Sequence, residues 1–304
     1  MKIEVKNYTY ETMPDYEDKI TGAKEVIMTG DEIGLEYIPD VVYDHKNDID
    51  LHLQIIVPSV FNEPHKKFPC VVFVQGSAWM KQNTYRNIVH LGKLAAKGYT
   101  CAIVEYRHSE IAHFPAQIID GKNAIRYLKE HHEDYHIDPH QIIIMGDSSG
   151  GHTSAMIGMT AQTSLFDDPI NQEDLSIKGI INLYGAVEVT LPYGFPSTLN
   201  HQLPDSPEGM LVGYNIRENL EKAEGVNAKS YVNEEFAPML ILHGTKDKTV
   251  FCQESVNLYE ALKEAKKDVE LYLVRNADHG GAAFWKDEVV NIYDQFIQRC
   301  LKGE

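Results

Sequence analysis

At 304 residues with 43% hydrophobic content, the chain is long enough to bury one substantial core, and one large α/β domain spanning 1–304 is expected rather than two small ones. Its 28 basic residues against 45 acidic ones leave a formal charge of -17, which sets the surface against nucleic-acid phosphates and anionic membranes as partners. Residues 1–8 hold no apolar signal core and no run approaches the roughly 18 apolar residues of a membrane span, so a cytoplasmic chain is expected. Cys70, Cys101, Cys252 and Cys300 lie far apart without a Cys-x-x-Cys pair, which suits reduced thiols better than a disulfide framework or a zinc site.

In chain order, residues 1–36 mix charges and aromatics without a firm period and read as an N-terminal arm. Residues 37–43 and 49–57 partly alternate around the polar stretch 44–48, as two antiparallel strands joined by a turn do, with Pro58 closing the second. Strand-length apolar runs then follow at 70–74, 100–104, 141–145, 179–183, 239–242 and 269–274, and residues 87–96, 116–131, 250–265 and 282–301 have helical spacing. This rhythm predicts an α/β fold with a mostly parallel sheet and helices on both faces. Between about Ala186 and Met239 the chain passes Pro192, Gly194, Pro196, Pro204, Pro207 and Gly209, more length than a crossover needs. Residues 187–230 are therefore expected to form a small cap or lid insertion.

The apolar run 142–145 ends in Gly146-Asp147-Ser148-Ser149-Gly150, a Gly-x-Ser-x-Gly pattern before a helix-compatible segment. A nucleophilic serine needs a sharp strand-to-helix turn that exposes its hydroxyl, and flanking glycines leave room for it, which selects Ser148 over Ser149. Its partners must come from loops at the same sheet edge. Asp247 stands just beyond the run 239–242 and suits the acid, while His279 stands in the loop after the run 269–274 and suits the base. Asp278 and Glu288 are rival acids, and His243 is the main alternative base, although the His243-Gly244 pair looks placed to let the Asp247 loop turn. His152 is expected to pack under the turn and His201 to lie in the cap. An acyl-transfer oxyanion also needs backbone N–H donors: Ser149 supplies one, and Gly76 or Ser77, after the run 70–74, the other. Trp79 and the cap aromatics Tyr193 and Phe195 are candidate stacking surfaces for substrate, with core filling the alternative for Trp79.

With these segments in register, residues 41–304 resemble the α/β-hydrolase esterases, a group that includes hormone-sensitive-lipase-like esterases and bacterial carbohydrate esterases acting on acetylated or feruloylated xylan. The second subgroup is the closer. The resemblance rests on Val74-Gln75-Gly76-Ser77-Ala78-Trp79, Glu105-Tyr106-Arg107, Phe114-Pro115-Ala116, Gly146-Asp147-Ser148-Ser149-Gly150-Gly151-His152, His243-Gly244-Thr245-Lys246-Asp247 and Asp278-His279-Gly280. The order Ser148, Asp247, His279 is that of the α/β-hydrolases. Lipase-like relatives begin the oxyanion loop with His-Gly-Gly where this chain has Gln75-Gly76-Ser77, which points away from a lipid esterase. The resemblance implies a serine ester hydrolase acting through an acyl-enzyme on short acyl or hydroxycinnamoyl esters of sugars or xylo-oligosaccharides, without metal or cofactor. A peptidase or an arylformamidase on the same triad is the alternative within enzymes, and a non-catalytic ligand receptor the alternative outside them. A homo-oligomer is compatible with all of these readings.

Overall fold

The protein is described here by a computed structural model covering residues 5–46, 48–168, 175–191 and 197–303. The elements in chain order are β1 (Ile33–Lys46), β2 (Ile49–Val60), β3 (Phe68–Val74), α1 (Ile88–Ala95), β4 (Thr100–Val104), α2 (Ala116–Glu130), β5 (Ile137–Asp147), α3 (Ser149–Met159), β6 (Ile177–Leu183), α4 (Pro207–Val212), α5 (Leu220–Ala223), β7 (Met239–Gly244), α6 (Gln253–Glu264), β8 (Val269–Val274) and α7 (Asp287–Lys302). The eight strands form one sheet in the order β1-β2-β4-β3-β5-β6-β7-β8. β1, β2 and β4 pair antiparallel, and every later neighbour is parallel.

The parallel strands inside the sheet are apolar runs because both of their faces are covered, whereas the edge strand β8 leaves Tyr272 and Leu273 exposed. Side chains alternate across a strand, so Cys70, Val72 and Val74 join Ile142 and Ile144 in a core with α2, α3 and α6. Val71, Phe73, Ile143 and Met145 point the other way, into a core with α1 and α7. α3 is buried along its whole length, which explains why it is apolar all round instead of amphipathic.

Four of the boundaries differ from expectation. β1 begins at Ile33, four residues before the predicted start, and β2 continues through Pro58 to Val60. Proline is tolerated there because β4 pairs only with Leu53–Ile56, leaving no ladder on that side for Pro58 to break. α6 starts at Gln253 and α7 at Asp287, each later than its periodicity, the latter after a helical turn at Ala282–Phe284. The described part of 187–230 contains no strand. It holds α4, α5 and single helical turns at Ile216–Glu218, Glu224–Val226 and Ala228–Tyr231, and its Val189, Leu211, Ile216 and Val226 share a small core with Trp79 and Val250. Among the described residues no helix is long and apolar enough to cross a membrane.

Candidate active site

β5 hands over to α3 at Ser148, whose backbone has φ 53° and ψ -126°. Positive φ at a non-glycine residue is strained, and such strain persists only where the surroundings impose it. Here they do. A Cβ on Gly146 would lie 2.2 Å from the Gly150 carbonyl oxygen, and one on Gly150 would lie 2.0 Å from that of Val74, so only glycine lets the turn close against β3. The Ser148 N–H donates to the Leu183 carbonyl at 2.9 Å, which fixes the turn to the end of β6.

The three predicted residues meet. His279 Nε2 is 2.8 Å from Ser148 Oγ, and His279 Nδ1 is 2.7 Å from Asp247 Oδ2. A carboxylate only accepts, so Nδ1 carries the proton and the Nε2 lone pair faces the serine hydroxyl. The other Asp247 oxygen accepts the N–H groups of Thr249 at 2.8 Å and Val250 at 2.9 Å. Burial pushes the Asp247 carboxyl up, but hydrogen bonds from His243 and His279 outweigh it and hold the group well below the usual carboxylate range. The acid of this relay is ionised at neutral pH.

The rivals fall into other places. His243 is fully buried, bonds Ser255 Oγ at 2.7 Å through Nδ1, and sets Nε2 3.2 Å from Asp247 Oδ2. It supports the acid from behind. Asp278 accepts the His279 N–H at 2.8 Å and pairs with Lys248 at 2.9 Å, and Glu288 pairs with Lys286 at 2.6 Å. His152 lies under the turn as expected: Nε2 donates to the Val226 carbonyl at 2.8 Å, and burial pushes its imidazole down to about 4. His201 lies in the segment before α4, 2.7 Å from Glu208.

The oxyanion expectation needs correction. The Gly76 N–H is committed to Asp147 Oδ1 at 2.7 Å, and the Ser77 N–H to Ser149 Oγ at 2.9 Å. The N–H of Ser149 opens α3 and has no intrahelical acceptor. Ala78 lines the cleft with Ser148, and its N–H has no partner among the described residues. Ala78 and Trp79 both have positive φ, 57° and 54°, so this loop carries backbone strain of its own. Its bonds run to β5 and α3, some seventy positions away, which local sequence does not reveal.

Trp79 also departs from the stacking reading. It is 1% exposed and packs edge-to-face on His152, so it offers no surface to a substrate and takes the core-filling alternative instead. Tyr193 and Phe195 lie outside the described residues. The cleft over Ser148, of about 280 Å³, is walled instead by residues that motif reading passed over: Arg86, Asn87, His90, Tyr184 and Trp285. His90 stacks flat on Trp285, with ring centroids 5.0 Å apart. Tyr184 packs edge-to-face on the His279 ring and sets its hydroxyl 3.3 Å from Asp147.

Comparison with known proteins bears on the family and the fold. The family model described as BD-FAE matches residues 53–262, more than half of the chain. The chain is 26% identical over 206 residues to the "Probable carboxylic ester hydrolase LipM" of Mycobacterium tuberculosis, covering 67% of this chain and 47% of that protein. It spans about half the length of the first curated relatives it matches. Among solved structures, the bifunctional GH43-CE protein of Bacteroides eggerthii superposes with a TM-score of 0.73 at 22% identity, covering 90% of this chain and 38% of that one. A truncated carbohydrate esterase from gut microbiota superposes with a TM-score of 0.71 at 24% identity, covering 90% and 98%. These likenesses show the α/β-hydrolase fold.

Proposed function

The chain belongs to the BD-FAE family, and from that membership and the site geometry we propose that it is a serine carboxylic-ester hydrolase working through an acyl-enzyme. The observation that carries this reading is the relay Ser148–His279–Asp247, with hydrogen-bond lengths of 2.8 and 2.7 Å. His279 Nε2 takes the Ser148 proton as Oγ attacks the ester carbonyl, and the resulting imidazolium is stabilised by the ionised Asp247. The developing oxyanion is met by the N–H groups of Ser149 and Ala78, each contributing roughly 3 to 4 kcal/mol to the transition state. The imidazolium then protonates the departing alkoxide, and in the second half His279 deprotonates the water that releases the acid. The relay needs only a proton acceptor, a fixed carboxylate and two N–H donors.

The substrates in this reading are short acyl or hydroxycinnamoyl esters of sugars. The reading is supported by the likeness to a structure titled a carbohydrate esterase and by the partly exposed His90 ring in the cleft wall beside the nucleophile. Turnover of 4-nitrophenyl acetate, acetylated xylo-oligosaccharide, methyl ferulate and an aminoacyl anilide tests it. Hydrolysis of one or more esters with Ser148→Ala inactive is the expected result. Turnover of the anilide alone, or ester turnover unchanged in Ser148→Ala, contradicts it.

A further inference from the structure

Arg86 and Asn87 stand on the loop that enters α1, and both line the cleft that holds Ser148. Among the described residues no hydrogen bond or ion pair accounts for the placement of their side chains. The chain carries 45 acidic residues against 28 basic ones, and Arg107, Arg126 and Arg299 each pair with a carboxylate. The Arg86 guanidinium has no ion pair or hydrogen bond among the described residues, and only its backbone N–H is engaged, by the Asn83 carbonyl at 3.1 Å. Asn87 is 6% exposed, yet its carboxamide has no partner among the described residues either. Asparagine is favoured at a helix N-cap because its side chain accepts an orphan N–H of the first turn. Asn87 occupies that position in α1 and makes no such bond. A carboxamide on a largely buried residue of the cleft wall, beside an exposed guanidinium, offers donors to the cleft that no described residue takes up.

The surroundings favour an anion. α1 has no acidic residue in its first turn, so the positive end of the helix adds to Arg86. The one carboxyl group among the described cleft residues, Asp147, is already held by the Gly76 N–H and the Tyr184 hydroxyl. His90, one turn into α1, lies flat on Trp285 and closes the wall with rings.

We propose that Arg86 and Asn87 form an anion subsite of the ester cleft, so that the preferred ester carries a carboxylate within reach of Ser148. The guanidinium supplies a fork of two parallel N–H donors to that carboxylate, and the Asn87 amide a third. The subsite deepens the ester-hydrolase reading and rests on it. The carboxylate belongs either to the acyl part or to the alcohol part, and matched substrates distinguish the two.

The test compares kcat/KM for 4-nitrophenyl pentanoate with 4-nitrophenyl hydrogen glutarate, and for an O-acetyl methyl xyloside with an O-acetyl methyl glucuronoside. In at least one pair the anionic member is expected to be favoured roughly tenfold or more, and Arg86→Gln to cut that ratio at least tenfold, chiefly through KM. Arg86→Lys restores part of the ratio, and about 0.5 M salt compresses it. A neutral preference in both pairs, or an unchanged ratio in Arg86→Gln, overturns the subsite while leaving the ester reading intact. If the wild-type protein hydrolyses no ester, that reading fails by itself. Calorimetric titration with glutarate and with methyl glucuronoside then decides the subsite: binding lost in Arg86→Gln supports it, and absence of binding by the wild-type protein overturns it.

Discussion

Asp147 Oδ1 accepts the Gly76 N–H at 2.7 Å, joining the residue before the nucleophile to the loop after β3 across 71 positions of sequence. Its second oxygen takes the Tyr184 hydroxyl, and Tyr184 in turn packs against His279. The buried carboxyl thus ties the oxyanion loop to the base. Burial pushes this group up from its ordinary value, and the Gly76 N–H only partly offsets that. Asp147→Ala leaves the Gly76 N–H without a partner and should cost about 1–3 kcal/mol in urea unfolding. Turnover should fall as the Ala78 N–H loses its placement, and Asp147→Asn, which keeps an acceptor, should recover most of both losses.

His243 acts through Asp247. Replacing it by glutamine removes the imidazole behind Oδ2 and leaves the His279 contact in place. Steady-state kinetics should show a drop in kcat of roughly tenfold, far smaller than the loss of about 10⁴-fold expected for Asp247→Asn, which disturbs the tautomer of the base. Equal losses in the two variants would place His243 in the proton relay itself.

The segment from Ser197 to Glu208 carries a pH-dependent clasp. His201 Nδ1 faces Glu208 at 2.7 Å, and Nε2 faces Ser197 Oγ at 2.8 Å, whose own proton goes to the Thr249 carbonyl at 2.9 Å. Both ring nitrogens therefore donate, which requires the imidazolium. Burial lowers the His201 value, but the hydrogen bond and charge of Glu208 outweigh it and the net shift is upward. A raised value stabilises the fold fully below the unfolded histidine value near 6.5, and the contribution is lost as pH rises through the folded value. His201→Gln should therefore cost about 2 kcal/mol in unfolding measured near pH 6 and distinctly less near pH 9. A cost that grows with pH would contradict the clasp.

Gly150→Ala should abolish the turn, because the added Cβ would stand 2.0 Å from the Val74 carbonyl oxygen. A destabilisation of more than about 4 kcal/mol is expected from thermal melts, since neither backbone can yield without opening β3 from α3.

The fold and the relay were legible because their signals are local. Each parallel strand is an apolar run between turns, and Ser148, Asp247 and His279 each follow such a run at its carboxyl end. The Ser149 donor follows from its place after Ser148, but the second oxyanion donor was not legible, because whether Gly76, Ser77 or Ala78 has a free N–H depends on Asp147 and Ser149. Trp79 reads the same in sequence whether it faces substrate or His152, and only the packing of His152, Val189, Leu211 and Ile216 around it decides. The Arg86-Asn87 pair carries no motif at all; Asn87 stands out through its burial, and both side chains through the lack of partners among the described residues.

The claim that Ser148 is a nucleophile activated by His279 is tested most directly by a fluorophosphonate probe followed by intact mass and peptide mapping. The account predicts one adduct on Ser148, formed far more slowly in His279→Ala although that variant folds. No adduct on a folded wild-type protein, or an adduct on another residue with Ser148 unmodified, would contradict it.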